Sequence, residues 1–182
     1  MNFLAIIIAS CIAMSPTIAN NETTHVQELV LERAYLLGHP MHEEKVRELS
    51  LSILNEKTLL DPALTLAVIE IESKYDTKAK SSKNCGGLMQ LAPATAKKVA
   101  KKIKIKRHNI YSIPHNIKIG VWYLSELIRE NKSTAKGLTI YNMGWKNYVK
   151  NGKKTSKYAR LVMKRYRRIK SLLENKLYCK NH

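Results

Sequence analysis

The sequence predicts an all-α protein built as a single compact domain. Three observations carry this reading. Apolar residues recur at three- and four-residue spacing along most of the chain. No segment alternates apolar and polar residues as a half-buried strand does, and no Asn-Gly turn joins two β-branched runs. Breakers such as Gly38-His39-Pro40 and Asp61-Pro62 fall between the periodic segments. The length of 182 residues suits one domain, and no linker, repeat or low-complexity segment divides it.

Residues 1–19 carry no charged side chain. Phe3 to Ile8 form an apolar run, and Thr17-Ile18-Ala19 resembles a small-residue cleavage site. The pattern predicts a secretory signal removed after Ala19, too short to span a bilayer as a mature helix. Its start holds no Lys or Arg. Two rival readings stay open: Ile8-Ala9-Ser10-Cys11 resembles a lipobox that would leave a lipid on Cys11, and the segment could stay as an uncleaved anchor. Export to the periplasm or cell envelope is the expectation.

A first helix is predicted over His25 to Leu37, with Val26, Leu29, Val30, Arg33 and Leu37 at helical spacing. A second covers about Glu43 to Asn55, with Val46, Leu49, Ile53 and Leu54 on one face. Asp61 then caps a third helix that has Pro62 in its first position and runs to about Ser73. Lys74 to Gly87 is polar and reads as a loop. Pro93 opens a basic helix to about Ile105, and Ile113-Pro114 opens another with Ile117, Gly120, Val121, Leu124, Leu127 and Ile128 on its apolar face. A short helix follows at Ala135 to Met143, then a loop over Gly144 to Gly152. A long basic helix from Ser156 to Leu173 presents Leu161, Val162, Tyr166, Ile169 and Leu173 as a stripe.

The net charge is +18, and none of it resides in residues 1–19. Lys97 to Arg107 holds seven Lys/Arg and no acid. Such a field favours polyanions, whether nucleic acid, anionic lipid head groups or an acidic wall polymer. Tyr158 and Tyr166 fall on the apolar side of the last helix rather than forming a base-stacking platform, so nucleic acid is not the expected partner. Cys85 and Cys179 remain once the signal is removed, and an exported pair can form a disulfide. His39 with His42, and His108 with His115, lack companion ligands, so a metal site is not expected.

Glu72 is the candidate for chemistry. On the third helix Leu64, Ala67, Val68 and Ile71 share a face, and Glu72 stands one turn beyond Val68 at its edge. Glu70 is rotated by about 200° from it, so the two acids are no close pair, and Glu70 is expected to point to solvent or a rim. A carboxyl beside apolar side chains should have a raised pKa and can donate a proton near neutral pH. The plainer reading is a salt bridge to one of the many lysines.

Four blocks in order change the weighting. They are Ile69-x-x-Glu72-Ser73-x-Tyr75, then Gly87-Leu88-Met89-Gln90-Leu91-x-Pro93-x-Thr95-Ala96, then Asn116-Ile117-x-x-Gly120-x-x-Tyr123-Leu124, then Tyr141-Asn142-x-Gly144. Together they resemble the soluble lytic transglycosylase domain, a family related to goose-type lysozyme. The resemblance implies a lysozyme-like helical fold over residues 58–175, preceded by a helical extension at 20–57 and followed by a tail at 176–182. It implies Glu72 as sole general acid and base. Ser73 would steady substrate or glutamate, Gly87, Leu88, Met89 and Gln90 would line the cleft with Gln90 facing the sugar, and Tyr141 and Asn142 would close the site. Met89 reads equally well as core, Tyr141 as a core tyrosine and Asn142 as a helix cap. Asn84-Cys85 stand where the family has Gly-Ala, and Met143 replaces a commoner alanine.

The implied reaction cleaves the β-1,4 bond between N-acetylmuramic acid and N-acetylglucosamine in peptidoglycan strands, forming 1,6-anhydro ends without water and without a cofactor. It suits a site with one carboxylate, because glycosidases that use a protein nucleophile or an activated water hold two. The rivals are a lysozyme-like hydrolase, a non-catalytic basic wall-binding protein and a nucleic-acid binder. The small size is similar to family members that open the wall for secretion or conjugation machinery, and a monomer is expected.

Overall fold

The computed structural model describes residues 18–178, with side chains from Glu22 to Asn175. Cys11 and Cys179 lie outside the described residues, and the side chains around the expected cleavage after Ala19 lie outside the described side chains. Local chemistry starts the helices. Helix α1 spans Ile18–Leu36 and α2 spans Glu43–Asn55. Helix α3, Pro62–Glu72, begins as predicted: Asp61 accepts from the Ala63 N–H at 2.8 Å and Pro62 fills the first position. Helix α4 is Pro93–Lys102 and α5 is Ile113–Asn131, each with proline in its first turn. Helix α6, Thr134–Met143, is capped by Ser133. Helix α8 is Lys157–Tyr178.

Three boundaries differ from the sequence reading. Helix α1 begins at Ile18 rather than His25. The stretch predicted as a loop after Gly144 contains a six-residue helix α7, Trp145–Lys150. It is too short for periodicity to show and is held by burying Tyr148. Helix α8 continues to Tyr178. Among the described residues the fold is all-α, its only β-type pairings being the isolated bridges Lys80–Gly86 and Gly86–Leu91.

Helix α3 is the axis of the molecule. Every residue from Ala63 to Glu70 is buried, and four consecutive ones, Leu66, Ala67, Val68 and Ile69, are at 0% exposure. Four consecutive residues point round almost the whole circumference, so α3 is enclosed and has no solvent face. The one-faced reading is therefore wrong for this helix. Each enclosed Leu or Ile contributes about 1.5–3 kcal/mol of burial. Helix α8 packs along α3 and also meets α1 and α6, while α2 packs on α1 and α5, and α5 on α6. The two long partners are antiparallel. Tyr166 of α8 reaches Asp61 at the start of α3, and Tyr158, one end earlier on α8, reaches Glu72 at its finish. Residues of every helix but α7 share one hydrophobic cluster. No helix among the described residues is long and apolar enough to cross a membrane.

Candidate active site

Glu72 is the last residue of α3, where the enclosed helix emerges. Its carboxyl is half-buried. The Tyr158 hydroxyl donates to Glu72 Oε1 at 2.6 Å. Burial pushes the Glu72 pKa up to about 7, opposed by that hydrogen bond, which favours the anion. Among the described residues no neighbouring charge is a cause of the shift. Burial, together with the charge of Glu72, holds the hydroxyls of Tyr158 and Tyr141 well above the ordinary tyrosine range, so both stay protonated donors.

The loop after α3 is folded back by its own backbone. Gly87 donates to Ala79 O at 2.9 Å, and Gly86 and Leu91 exchange hydrogen bonds at 3.1 and 3.0 Å. Gly87 has φ +73°, and a β-carbon there would collide with Ile110 O and the Asn116 amide. Only glycine fits. Asn84, standing where the family has glycine, takes φ +60°, a conformation asparagine tolerates. Asn116 of α5 fastens the loop: its Oδ1 accepts from Met89 N at 2.8 Å, and its Nδ2 donates to Gly86 O at 3.1 Å and Ile110 O at 2.6 Å. Tyr141 of α6 donates to Met89 O at 2.7 Å and stacks at a tilt on Tyr123, the ring centroids 5.5 Å apart.

The expected residues thus divide. Glu72 and Tyr141 come together at the loop, and Tyr141 lies within the field of Glu72. Leu88 and Met89 do not line a cleft with their side chains: they are 1% and 0% exposed, and Met89 packs against Gly120 of α5, where the missing β-carbon makes room for its sulfur. Their contribution is backbone. Gln90 gives its amide N–H groups to Ala79 O and Gly87 O, both at 3.0 Å, so it braces the loop with one end and leaves its carbonyl oxygen for another donor. Ser73 is buried and donates back to Ile69 O at 3.0 Å, capping α3 rather than touching Glu72. Asn142 is exposed in the last turn of α6, two residues before the glycine that ends the helix.

Glu70 overturns its expectation. It is 3% exposed, accepts two N–H donors of Arg33, Nε at 3.0 Å and Nη2 at 2.7 Å, and forms an ion pair with Arg165 Nε at 2.8 Å. The 200° rotation from Glu72 was right in direction, but that side of α3 faces α1 and α8, whose arginines supply the counter-charge. Asp76, the next acid along the chain, accepts from Lys78 N at 2.8 Å within its own turn. Tyr158 is the residue of this candidate site that the sequence reading missed. It sits in the apolar stripe of α8, and only its hydroxyl end reaches the site. Among the described residues, no group of three or more His, Cys, Asp or Glu gathers to hold a metal.

A family model described as the Transglycosylase SLT domain matches residues 52–163. The chain belongs to that family. The transglycosylase SLT segment so matched contains Glu72, the 74–92 loop, Asn116, Tyr141 and Tyr158. A protein of Enterobacteria phage PRD1 named "Transglycosylase" is 34% identical over 105 residues, covering 58% of this chain and 37% of its own. Two solved structures share the fold. An inactive mutant of the lytic transglycosylase Slt from Pseudomonas aeruginosa aligns with TM-score 0.52 and 22% identity over 70% of this chain and 22% of its own. The 70 kDa soluble lytic transglycosylase of Escherichia coli aligns with TM-score 0.53 and 16% identity over 85% and 29%. The chain therefore spans about a third or less of the length of each of these relatives.

Proposed function

We propose that this chain is a peptidoglycan lytic transglycosylase in which Glu72 is the only acid and base. The observation that carries the reading is the state of Glu72. Its pKa of about 7 comes from burial and one tyrosine hydrogen bond, with no second carboxylate acting on it. A protein nucleophile or base would be such a carboxylate. Glu70 is fully engaged by two arginines and Asp76 by its own turn.

The steps balance with one carboxyl. Protonated Glu72 gives its proton to the glycosidic oxygen as the C1–O bond breaks and N-acetylglucosamine leaves. The carboxylate then takes the proton of the muramic-acid C6 hydroxyl, whose oxygen bonds to C1. The product is a 1,6-anhydro end and Glu72 is protonated again. Attack from within the sugar gains the proximity that a free water lacks. Tyr158 holds Oε1 and stabilises the intermediate anion.

The substrate class, peptidoglycan strands, follows from the family. Action outside the cytoplasm, as a monomer and beside a secretion or conjugation machine, is part of the same reading. It is supported by the uncharged apolar start and the strong positive charge. Mass spectrometry of digested peptidoglycan tests it. Anhydro ends that vanish in Glu72→Gln support the mechanism. Reducing ends would make the protein a hydrolase, and lysis that persists in Glu72→Gln would remove Glu72 from the chemistry.

A further inference from the structure

We infer that Arg33 and Arg165 are positioning residues for Glu72, acting through Glu70, and that α1 is thereby a working part of the catalytic unit. The inference rests on the transglycosylase reading for its link to activity. Its structural basis is the buried cluster on the far side of α3. Arg33 grips both oxygens of Glu70 at 3.0 and 2.7 Å, and Arg165 adds an ion pair to Oε1 at 2.8 Å. A fork-on-fork pair fixes the plane of both partners as well as their distance. Glu70 is two residues from Glu72, so whatever fixes its rotation about the α3 axis fixes where Glu72 points.

Neither arginine belongs to the family segment. That segment covers residues 52–163, so Arg33 lies before it and Arg165 after it. The segment alone would carry a buried carboxylate without its counter-ions, an arrangement proteins do not tolerate. Helix α8 contacts α3 on both sides of the problem. Arg165 follows Tyr158 by seven residues, two helical turns, so one rigid element holds Glu70 at one point and Glu72 at the other. Helix α1 supplies the opposing hold through Arg33. Tyr75 completes the cluster: it is 1% exposed, its hydroxyl has no partner among the described residues, and both arginines and Glu70 act on it.

The test uses the full chain with Arg33→Met, Arg33→Lys and the double change Arg33→Met with Glu70→Leu. Three quantities are read: Tm, kcat and KM on peptidoglycan at a temperature where each variant is folded, and the titration of the Glu72 carboxyl by carbon NMR. Arg33→Met is expected to lower kcat about tenfold or more with KM within about twofold, and to move the Glu72 titration down as water enters its site. Arg33→Lys, a single donor in place of a fork, is expected to fall between and keeps the test usable should Arg33→Met not fold. The double variant removes the charge conflict and should regain Tm while kcat stays low. Recovery of kcat together with Tm would make the cluster merely structural, as would an Arg33 variant with wild-type kcat and an unmoved Glu72 titration. The titration needs no turnover, so it judges the positioning claim even if the wild type releases no anhydro sugar.

Discussion

Tyr158 donates its hydroxyl to Glu72 Oε1 at 2.6 Å across 86 residues of sequence. The bond and the burial of Glu72 pull in opposite directions: burial raises the pKa to about 7 and the hydroxyl restrains it. On the proposed mechanism Glu72 first gives and then takes one proton, a task served by a pKa near the working pH. Tyr158→Phe should therefore raise the Glu72 pKa further and shift the basic limb of the pH–rate profile upward. It should also lower kcat by about 10- to 100-fold, the worth of a hydrogen bond to a charged group. A downward shift of the limb would show that the hydroxyl stabilises the protonated acid instead.

The same raised pKa predicts how stability depends on pH. In the unfolded chain Glu72 titrates near 4.5, in the folded one at about 7. Between these values the folded state holds the extra proton, so the Glu72 contribution to stability falls as pH rises through this window. Above about pH 7 the cost reaches at most about 3 kcal/mol, less whatever local relaxation returns. Glu72→Gln abolishes the titration. It should leave stability near wild type at pH 4 and raise it by about 1–3 kcal/mol at pH 8. Urea melts at the two pH values check this, and equal differences at both would mean that burial does not govern the group.

What the sequence made legible was local. Asp61 and Pro62 announce α3, Pro93 and Pro114 announce α4 and α5, and a cap is written within three residues of where it acts. The family was legible too, because four blocks kept their order. What stayed hidden depends on residues far apart in the chain. Glu70 looked like a solvent acid because Arg33 is 37 residues away and Arg165 lies on the last helix. Tyr158 looked like core because its ring is core, and only the distant end of α3 gives its hydroxyl a task. Met89 was evenly balanced until Gly120 proved to be the slot for its sulfur.

Asn116 predicts a division between shape and donors. Its side chain makes three hydrogen bonds to backbone, two to the loop after α3 and one to Ile110 O, from a site 1% exposed. Asn116→Ala leaves the Met89 N–H and two carbonyls unpaired and should cost about 2–4 kcal/mol. Asn116→Asp keeps the outline and the Met89 acceptor but turns two donors into repulsion against Gly86 O and Ile110 O. It should destabilise at least as much at pH 7 and recover partly in acid, where the carboxyl regains a proton. A pH-independent loss for Asn116→Asp would contradict the donor assignment.

Gly120 offers a prediction whose sign depends on its neighbour. A β-carbon at this position would collide with Met89 Sδ inside the core. Gly120→Ala should thus cost about 1–3 kcal/mol, the usual toll of overpacking. It should also depress activity, because Met89 O is the acceptor that holds the Tyr141 hydroxyl at 2.7 Å and Met89 cannot shift without moving it. Met89→Ala alone should cost about 2–5 kcal/mol through the cavity it leaves. In that background the collision is gone, and a glycine inside α5 is a liability of about 1 kcal/mol relative to alanine. Gly120→Ala should then turn from destabilising to neutral or stabilising, a coupling that a double-mutant cycle of urea melts measures directly. Strict additivity would mean that Met89 does not occupy the space Gly120 provides, and the packing beneath the catalytic loop would have to be drawn differently.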